Sequence, residues 1–341
     1  MDRVSPATAA TAALQWRRLL ADSLLAPSAT ALRRWALAGL VTSILIILTG
    51  AAVRLSQSGL GCTNWPNCTA TSLVATGTTG DSLVHRWVEF GNRLVTVAIF
   101  VVAIGLSIAA WQYRGDTARR RDLVWLAAAQ PAAIVVQAVL GGLVVLTKLN
   151  PALVSLHFLA SIALVAAAVA LYVRCQESQE PAMVLAPRPV RLAALGVVGA
   201  VALMMSAGTV VTGTGPLAGA PDVSRYRLPL EGVTQFHADI GWLLGGLVVA
   251  LLLGLRLGKA PRRAVRLGWL LAGLIAAQGV VGYAQYFSGL PAGLVWVHVT
   301  GSTAIWVTAL FIPYALRDRS AVPAPPAEPL AEHGLGTSLP R

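Results

Sequence analysis

Eight stretches of this 341-residue chain stay apolar for long enough to cross a lipid bilayer, near 36–55, 86–112, 123–147, 152–174, 191–213, 233–256, 266–287 and 292–315. Crossing about 30 Å of hydrocarbon takes roughly 20 residues of helix. A segment in lipid must satisfy its own backbone hydrogen bonds, so each stretch is expected as an α-helix. Composition agrees, with 56% of residues hydrophobic and 12% charged.

The net charge is +12, a balance that would suit nucleic acid if the cations were clustered on one surface. Instead they follow the spans. Arg17, Arg18, Arg33 and Arg34 precede the first stretch, and Arg114, Arg119, Arg120 and Arg121 follow the second. Arg174, Arg188 and Arg191 flank the fourth loop, and Arg256, Lys259, Arg262, Arg263 and Arg266 fill the sixth. The alternate loops hold only Arg54, Arg86, Lys148, Arg225 and Arg227. This positive-inside bias places both termini in the cytoplasm, in a multi-pass protein of the cell's inner (plasma) membrane. The lipid bilayer, not nucleic acid, is the partner of this charge. Residues 1–33 lack the layout of a signal peptide and read as a cytoplasmic tail, with an amphipathic segment around 14–25. Residues 320–341, rich in Pro, Ala and small polar residues, read as a disordered cytoplasmic tail, and His333 within it is given no role.

The chain is also written twice. Gln137, Gly141, Leu153, Val154 and His157 recur in register, 141 residues on, as Gln278, Gly282, Leu294, Val295 and His298. Gly50-Ala51-Ala52-Val53 at the end of the first span has a counterpart in Gly208-Thr209-Val210-Val211 at the end of the fifth. Four spans per copy preserve orientation in the membrane. The expected fold is therefore an all-α integral membrane protein of eight transmembrane helices, arranged as two pseudo-symmetric four-helix bundles, 34–175 and 176–319.

Bundles of this kind place cofactors between facing helices. With His157 on span 4 and His298 on span 8, the partner ligands belong on spans 2 and 6. Span 6 carries His237; aligned in the same frame, span 2 carries Asn92. The C-terminal half keeps a histidine pair, and the N-terminal half sets His157 against an asparagine. A helix rises 1.5 Å per residue, so His157, six residues beyond Pro151, lies about 9 Å inside its span. Two neutral imidazoles from opposite helices, without acidic or thiol company, suit axial ligation of haem iron. Zinc wants three or four protein ligands, more than each half offers. The plainer reading of each histidine is interhelical hydrogen bonding, the role also expected of Gln137 and Gln278.

Glu89 is costly at membrane depth and lies three and four residues before Asn92 and Arg93, near one face. It reads either as an ion pair with Arg93 or Arg86, or as a buried proton donor or acceptor. Arg93 reads as a partner for a haem propionate, or as a side chain snorkelling to the outer surface. His85, two turns before Asn92, reads as an interfacial residue, with replacement of the missing ligand as the alternative. Cys62 and Cys68 face the oxidising side, where a disulfide can persist, as a structural staple or as a site of redox exchange. Cys175, at the cytoplasmic end of span 4, should remain a thiol.

With these residues assembled, the chain resembles the haem A synthase family over nearly all eight spans. Val53-Arg54-Leu55-Ser56-Gln57-Ser58-Gly59-Leu60-Gly61-Cys62, followed by Trp65-Pro66 and Cys68, is similar to the family's first-loop signature and its cysteine pair. His157, His237 and His298 match three of the family's four ligand positions. The resemblance implies oxidation of the C8 methyl group of haem O to a formyl, giving haem A for a terminal oxidase. It also implies a haem b held by His237 and His298, with haem O as substrate in the N-terminal half. Glu89 matches the family's essential acidic residue, while Asn92 departs from the family's histidine. That departure leaves His157 as the single axial ligand of the N-terminal haem, and an open position is what oxygen activation needs.

The resemblance further implies a haem O synthase as donor and the oxidase assembly machinery as acceptor; the sequence names no electron donor. Two other classes stand beside this one. A dihaem b-type electron-transfer protein would use two saturated sites, and Asn92 counts against it. A non-catalytic haem-binding assembly factor would not need Glu89.

Overall fold

The computed structural model of the chain describes residues 21–76, 81–113 and 120–320. Eight long helices run through them: α1 (Ala29–Leu55), α2 (Asp81–Gln112), α3 (Arg121–Leu146), α4 (Pro151–Arg174), α5 (Arg188–Thr214), α6 (Leu230–Leu257), α7 (Arg262–Phe287) and α8 (Ala292–Ala315). All eight are long and apolar enough to cross a membrane. The protein is thus an all-α multi-pass membrane protein, as the apolar stretches require. Most of the two expected tails and the 14–25 segment lies outside the described residues.

Six of the helices begin or end within about three residues of the apolar runs, and two start well before them. The first was expected from 36 and begins at Ala29, where Ser28 caps it by accepting the Ala31 amide at 3.1 Å. Arg33 therefore lies on helix and not in the tail expected over 1–33. The second was expected from 86 and begins at Asp81. In both cases helix continues past the hydrocarbon, which hydropathy alone does not register.

Helices α1 to α4 touch in a closed ring, each against the next and α4 against α1, and α5 to α8 do the same. The rings meet where α1 and α4 pack against α5 and α8, an arrangement consistent with two four-helix bundles side by side. The shared core is aliphatic, with Val165 and Val169 of α4, Val197 and Val201 of α5, Leu251 and Leu255 of α6, and Ile312 of α8 all nearly inaccessible. Lipid removes the hydrophobic drive between helices, so this contact holds by dispersion and by hydrogen bonds between helices. Two come from α8: Trp296 Nε1 donates to the Leu48 carbonyl at 3.1 Å, and Trp306 Nε1 to the Ile162 carbonyl at 2.9 Å. Large apolar side chains such as Trp125, Leu243, Leu253 and Phe287 point outward, as lipid contact demands.

The repeat reaches the turns. Lys148 and Leu149, between α3 and α4, have φ of 53° and 58°; Gly289 and Leu290, between α7 and α8, have φ of 79° and 59°. In each, the second residue donates its amide five residues back at 2.8 Å, Leu149 to Val144 and Leu290 to Gln285. Two non-glycine residues accept the left-handed region in the first turn, while Gly289 supplies it without strain in the second.

At the opposite end, the loops after α4 and α8 form a clasp that hydropathy does not reveal. Strand β1 (Met183–Val184) pairs antiparallel with β2 (Arg317–Asp318). Glu177 accepts from Arg174 at 2.6 Å and Arg317 at 3.0 Å, while Asp122 accepts from Arg174 at 2.6 Å and Arg120 at 2.9 Å. Burial pushes the neighbouring Cys175 thiol up to about 12, so it stays protonated, and it is a free cysteine.

Candidate functional site

The three histidines lie within two turns of the first residue of α4, α6 and α8, at the end of the bundles opposite the clasp. Each is seated the same way, ring against a glycine of the preceding helix. A Cβ at Gly141 would meet His157 Cε1 at 3.5 Å, one at Gly208 would meet His237 Cε1 at 3.2 Å, and one at Gly282 would meet His298 Cε1 at 3.4 Å. Gly50 is the fourth member of the set by its place in the repeat, and nothing lies within 4 Å of its Cβ position. Absence of a side chain there and Asn92 on α2 belong to the same half.

Gln137 and Gln278 fix the helices that carry these rings. Gln137 Nε2 donates to the His157 carbonyl at 3.1 Å and to Ser161 Oγ at 2.6 Å; Gln278 Nε2 donates to the His298 carbonyl at 2.6 Å. They are the interhelical hydrogen-bonders expected of them. Two of the imidazoles are left free of such bonds. Nδ1 of His157 and of His298 is buried without a hydrogen-bond partner, while the His237 ring lies against the Met204 backbone carbonyl.

His237 and His298 face each other with ring centres 6.3 Å apart and planes at 62°. A metal bound by one nitrogen of each ring at about 2 Å requires centres about 6 Å apart. The ring spacing therefore matches that of two imidazoles sharing one metal. A buried imidazole nitrogen without a partner, as on His157 and His298, makes poor packing glue this far inside a span. Among the described residues no three His, Cys, Asp or Glu side chains converge on one metal position.

The second feature is the outer loop after α1, lying against α2. Cys62 and Cys68 form a disulfide, and both are 0% exposed. Glu89, 6% exposed, spans this junction: one carboxylate oxygen accepts the Cys62 amide at 2.7 Å and the other accepts Arg93 at 2.7 Å. The expected ion pair is present, but the loop amide was not foreseeable from spacing. Arg93 donates further to the carbonyls of Asn64, Pro66 and Asn67 at 3.1–3.3 Å, so its guanidinium is committed to the loop. Asn92 Oδ1 is buried without a partner. His85 Nδ1 is 2.8 Å from Ser58 Oγ, which ties that ring to the loop.

Two residues of this region stand in the first-loop signature without a role assigned to them from sequence. Trp65 packs its indole on Gly142 of α3, the residue after the His157 seat. Arg54 enters the sequence reading as one of the outer cations and as a member of the first-loop signature, with no role of its own. Its equivalent position four residues after Gly208 is Thr212, and that difference between the copies could have marked it.

Comparison with known proteins places the chain in a family. The profile of the family described as cytochrome oxidase assembly protein matches residues 33–310. Relatives called heme A synthase include those of Lysinibacillus sphaericus, 31% identical over 129 residues, and of Listeria welshimeri, 30% identical over 128 residues. That of Geobacillus kaustophilus is 31% identical over 113 residues. These alignments cover 37%, 37% and 32% of this chain and 39%, 40% and 32% of the three relatives. The family profile, unlike the pairwise alignments, extends over all eight helices to α8, and the chain belongs to the cytochrome oxidase assembly protein family.

Proposed function

We propose that this protein oxidises the C8 methyl group of haem O to a formyl, giving haem A for a terminal oxidase. Residues 176–319 would keep a resident haem b between His237 and His298, and residues 34–175 would receive haem O on His157. One contrast carries the reading: three glycines seat histidine rings, while the fourth, Gly50, faces open space. The two halves are thus built alike and differ at one ligand, as expected of a relay site beside a reactive one. Haem supplies the redox chemistry when bound.

The chain's own residues would do the rest. His157, held by Gln137 and Gly141, fixes the substrate from one side. Asn92 offers an amide donor and acceptor on the other, where a fourth histidine would have closed the site. Glu89 is kept as the acidic group of the reaction, and its first task is to hold the loop. Both its oxygens are engaged, so a proton reaches the Arg93-bound oxygen only when that ion pair opens. Haem O synthase is the proposed donor, the oxidase assembly machinery the acceptor, and the plasma membrane with both termini cytoplasmic the setting.

Haem extraction and mass analysis from a haem O-producing host tests this in wild type, Glu89→Ala and Glu89→Gln. Wild type is expected to yield haem A or its hydroxylated intermediate, and Glu89→Ala about 100-fold less. Recovery in Glu89→Gln, which can still accept the Cys62 amide, assigns Glu89 to loop positioning; loss in both assigns it to proton transfer. Unchanged haem O in wild type beside bound haem b would make the protein an electron carrier or assembly factor instead.

A further inference from the structure

Among the described residues, Arg54 is a partly buried outer cation with no visible counterpart. It stands in the last turn of α1, partly buried beneath the seam where three outer loops meet. There Gly59 donates its amide to the Gly219 carbonyl at 2.9 Å, and the Leu149 side chain fills the angle between those two glycines. The Arg54 Cγ itself lies 3.6 Å from the Cβ position of Gly219. Among the described residues its guanidinium makes no hydrogen bond and no ion pair, whereas Arg86, Arg93 and Arg225 all donate to loop carbonyls. Arg227 and Lys148, the remaining outer cations, are exposed to water.

Position says what Arg54 serves. It is four residues beyond Gly50, so it shares that glycine's face of α1. Nothing lies within 4 Å of the Gly50 Cβ position, so the face of α1 one turn below Arg54 is left open. In the other half the corresponding pair is Gly208, with a histidine ring seated on it, and Thr212. The half that lacks a histidine has gained an arginine one turn away.

We propose that Arg54 binds a carboxylate of the tetrapyrrole held in the N-terminal half, a propionate at the outer edge of the pocket. The proposal rests on the function proposed above. It replaces Arg93, whose donors hold the loop, as the propionate partner. One imidazole and one ion pair grip a ligand less permanently than two imidazoles, which suits a site that must load substrate and release product.

The test uses the full-length protein in detergent, titrated with iron protoporphyrin IX and with its dimethyl ester, which lacks the charges. Soret absorbance sensitive to His157→Ala defines the N-terminal site. Wild type is expected to prefer the free acid by about 30-fold, the scale of truncating one member of a desolvated charge pair. Arg54→Gln is expected to lower the acid to the level of the ester and leave ester binding unchanged, which also shows that the variant is folded. Arg54→Lys should restore part of the preference. An acid-to-ester ratio that survives Arg54→Gln overturns the proposal. So does equal binding of both forms by wild type, above all if co-purified phospholipid phosphate falls in Arg54→Gln, which would assign the arginine to a lipid headgroup. Failure of wild type to bind either form through His157 overturns the proposed function along with it.

Discussion

Asn92 and Gly50 form the smallest unit on which the functional reading turns. The other three glycines show what the pair would be if residue 92 were histidine: a ring with its Cε1 edge against a glycine of the preceding helix. Asn92→His is therefore expected to fit without strain, since nothing lies within 4 Å of the Gly50 Cβ position. With haem bound, the N-terminal site should change from a spectrum sensitive to added imidazole to a saturated one that is not, by absorbance and electron paramagnetic resonance. Haem O oxidation should fall at least about 100-fold while haem content stays constant. Retained activity with two saturated sites would count against an open axial position as the reactive feature. The histidines were legible in the sequence because a polar residue at membrane depth stands out against its surroundings. Their seats were half legible: Gly141 and Gly282 belong to the repeat motif, but only packing shows a ring lying on each. The role of Arg54 was not legible, because a cation near the outer end of a span has an ordinary explanation until its neighbours are known to leave it unpaired.

The first outer loop is the element whose structure matters most and was read least. Its cysteine pair was visible, but four separate attachments determine where the loop lies: Glu89 to the Cys62 amide, Arg93 to three carbonyls, Trp65 on Gly142, and Gly61 against the His85 carbonyl. These join residues 24 to 77 positions apart in sequence, beyond any periodicity. Two of them need glycine for space. A Cβ at Gly61 would enter the backbone of α2 at His85 and Arg86, and a Cβ at Gly142 would enter the Trp65 indole. Backbone cannot rotate away as a side chain can, so Gly61→Ala is expected to be the more damaging. Overpacking of this kind costs about 1–3 kcal/mol. Because the disulfide is fully buried, its reduction by a water-soluble phosphine measures loop detachment directly. Wild type should resist, Gly142→Ala should react several-fold faster, and Gly61→Ala faster still. Equal rates in all three would mean that the disulfide alone holds the loop.

At the scale of the whole molecule, the repeat accounts for two bundles but not for how they are joined. Eight spans and their order follow from apolar length, a local property of the chain. The joint depends on residues outside the repeat: Trp296 and Trp306 of α8 reaching α1 and α4, and the clasp around Glu177. In sequence the clasp is a polar loop and a few arginines, which charge counting assigns to the cytoplasmic face without pairing them. Its effect is to hold the end of α4 to the segment after α8, so that the helices carrying His157 and His298 keep one spacing. Under the proposed function, electron passage between the two haem sites would depend on that spacing, whereas ligand binding at either would not. Glu177 is the member to remove, because it accepts from both Arg174 and Arg317 and lies 4.0 Å from Arg319. Its side chain is 12% exposed, between the surface and fully buried limits. Glu177→Gln should therefore lower stability by about 1–2 kcal/mol, and high salt should narrow the difference from wild type. Melting in detergent at low and high ionic strength measures this. Haem stoichiometry should be unchanged in the variant, while reoxidation of one site through the other slows. A variant that melts like wild type would leave the two tryptophan contacts and the aliphatic seam as the joint, with the clasp serving only to close the loops.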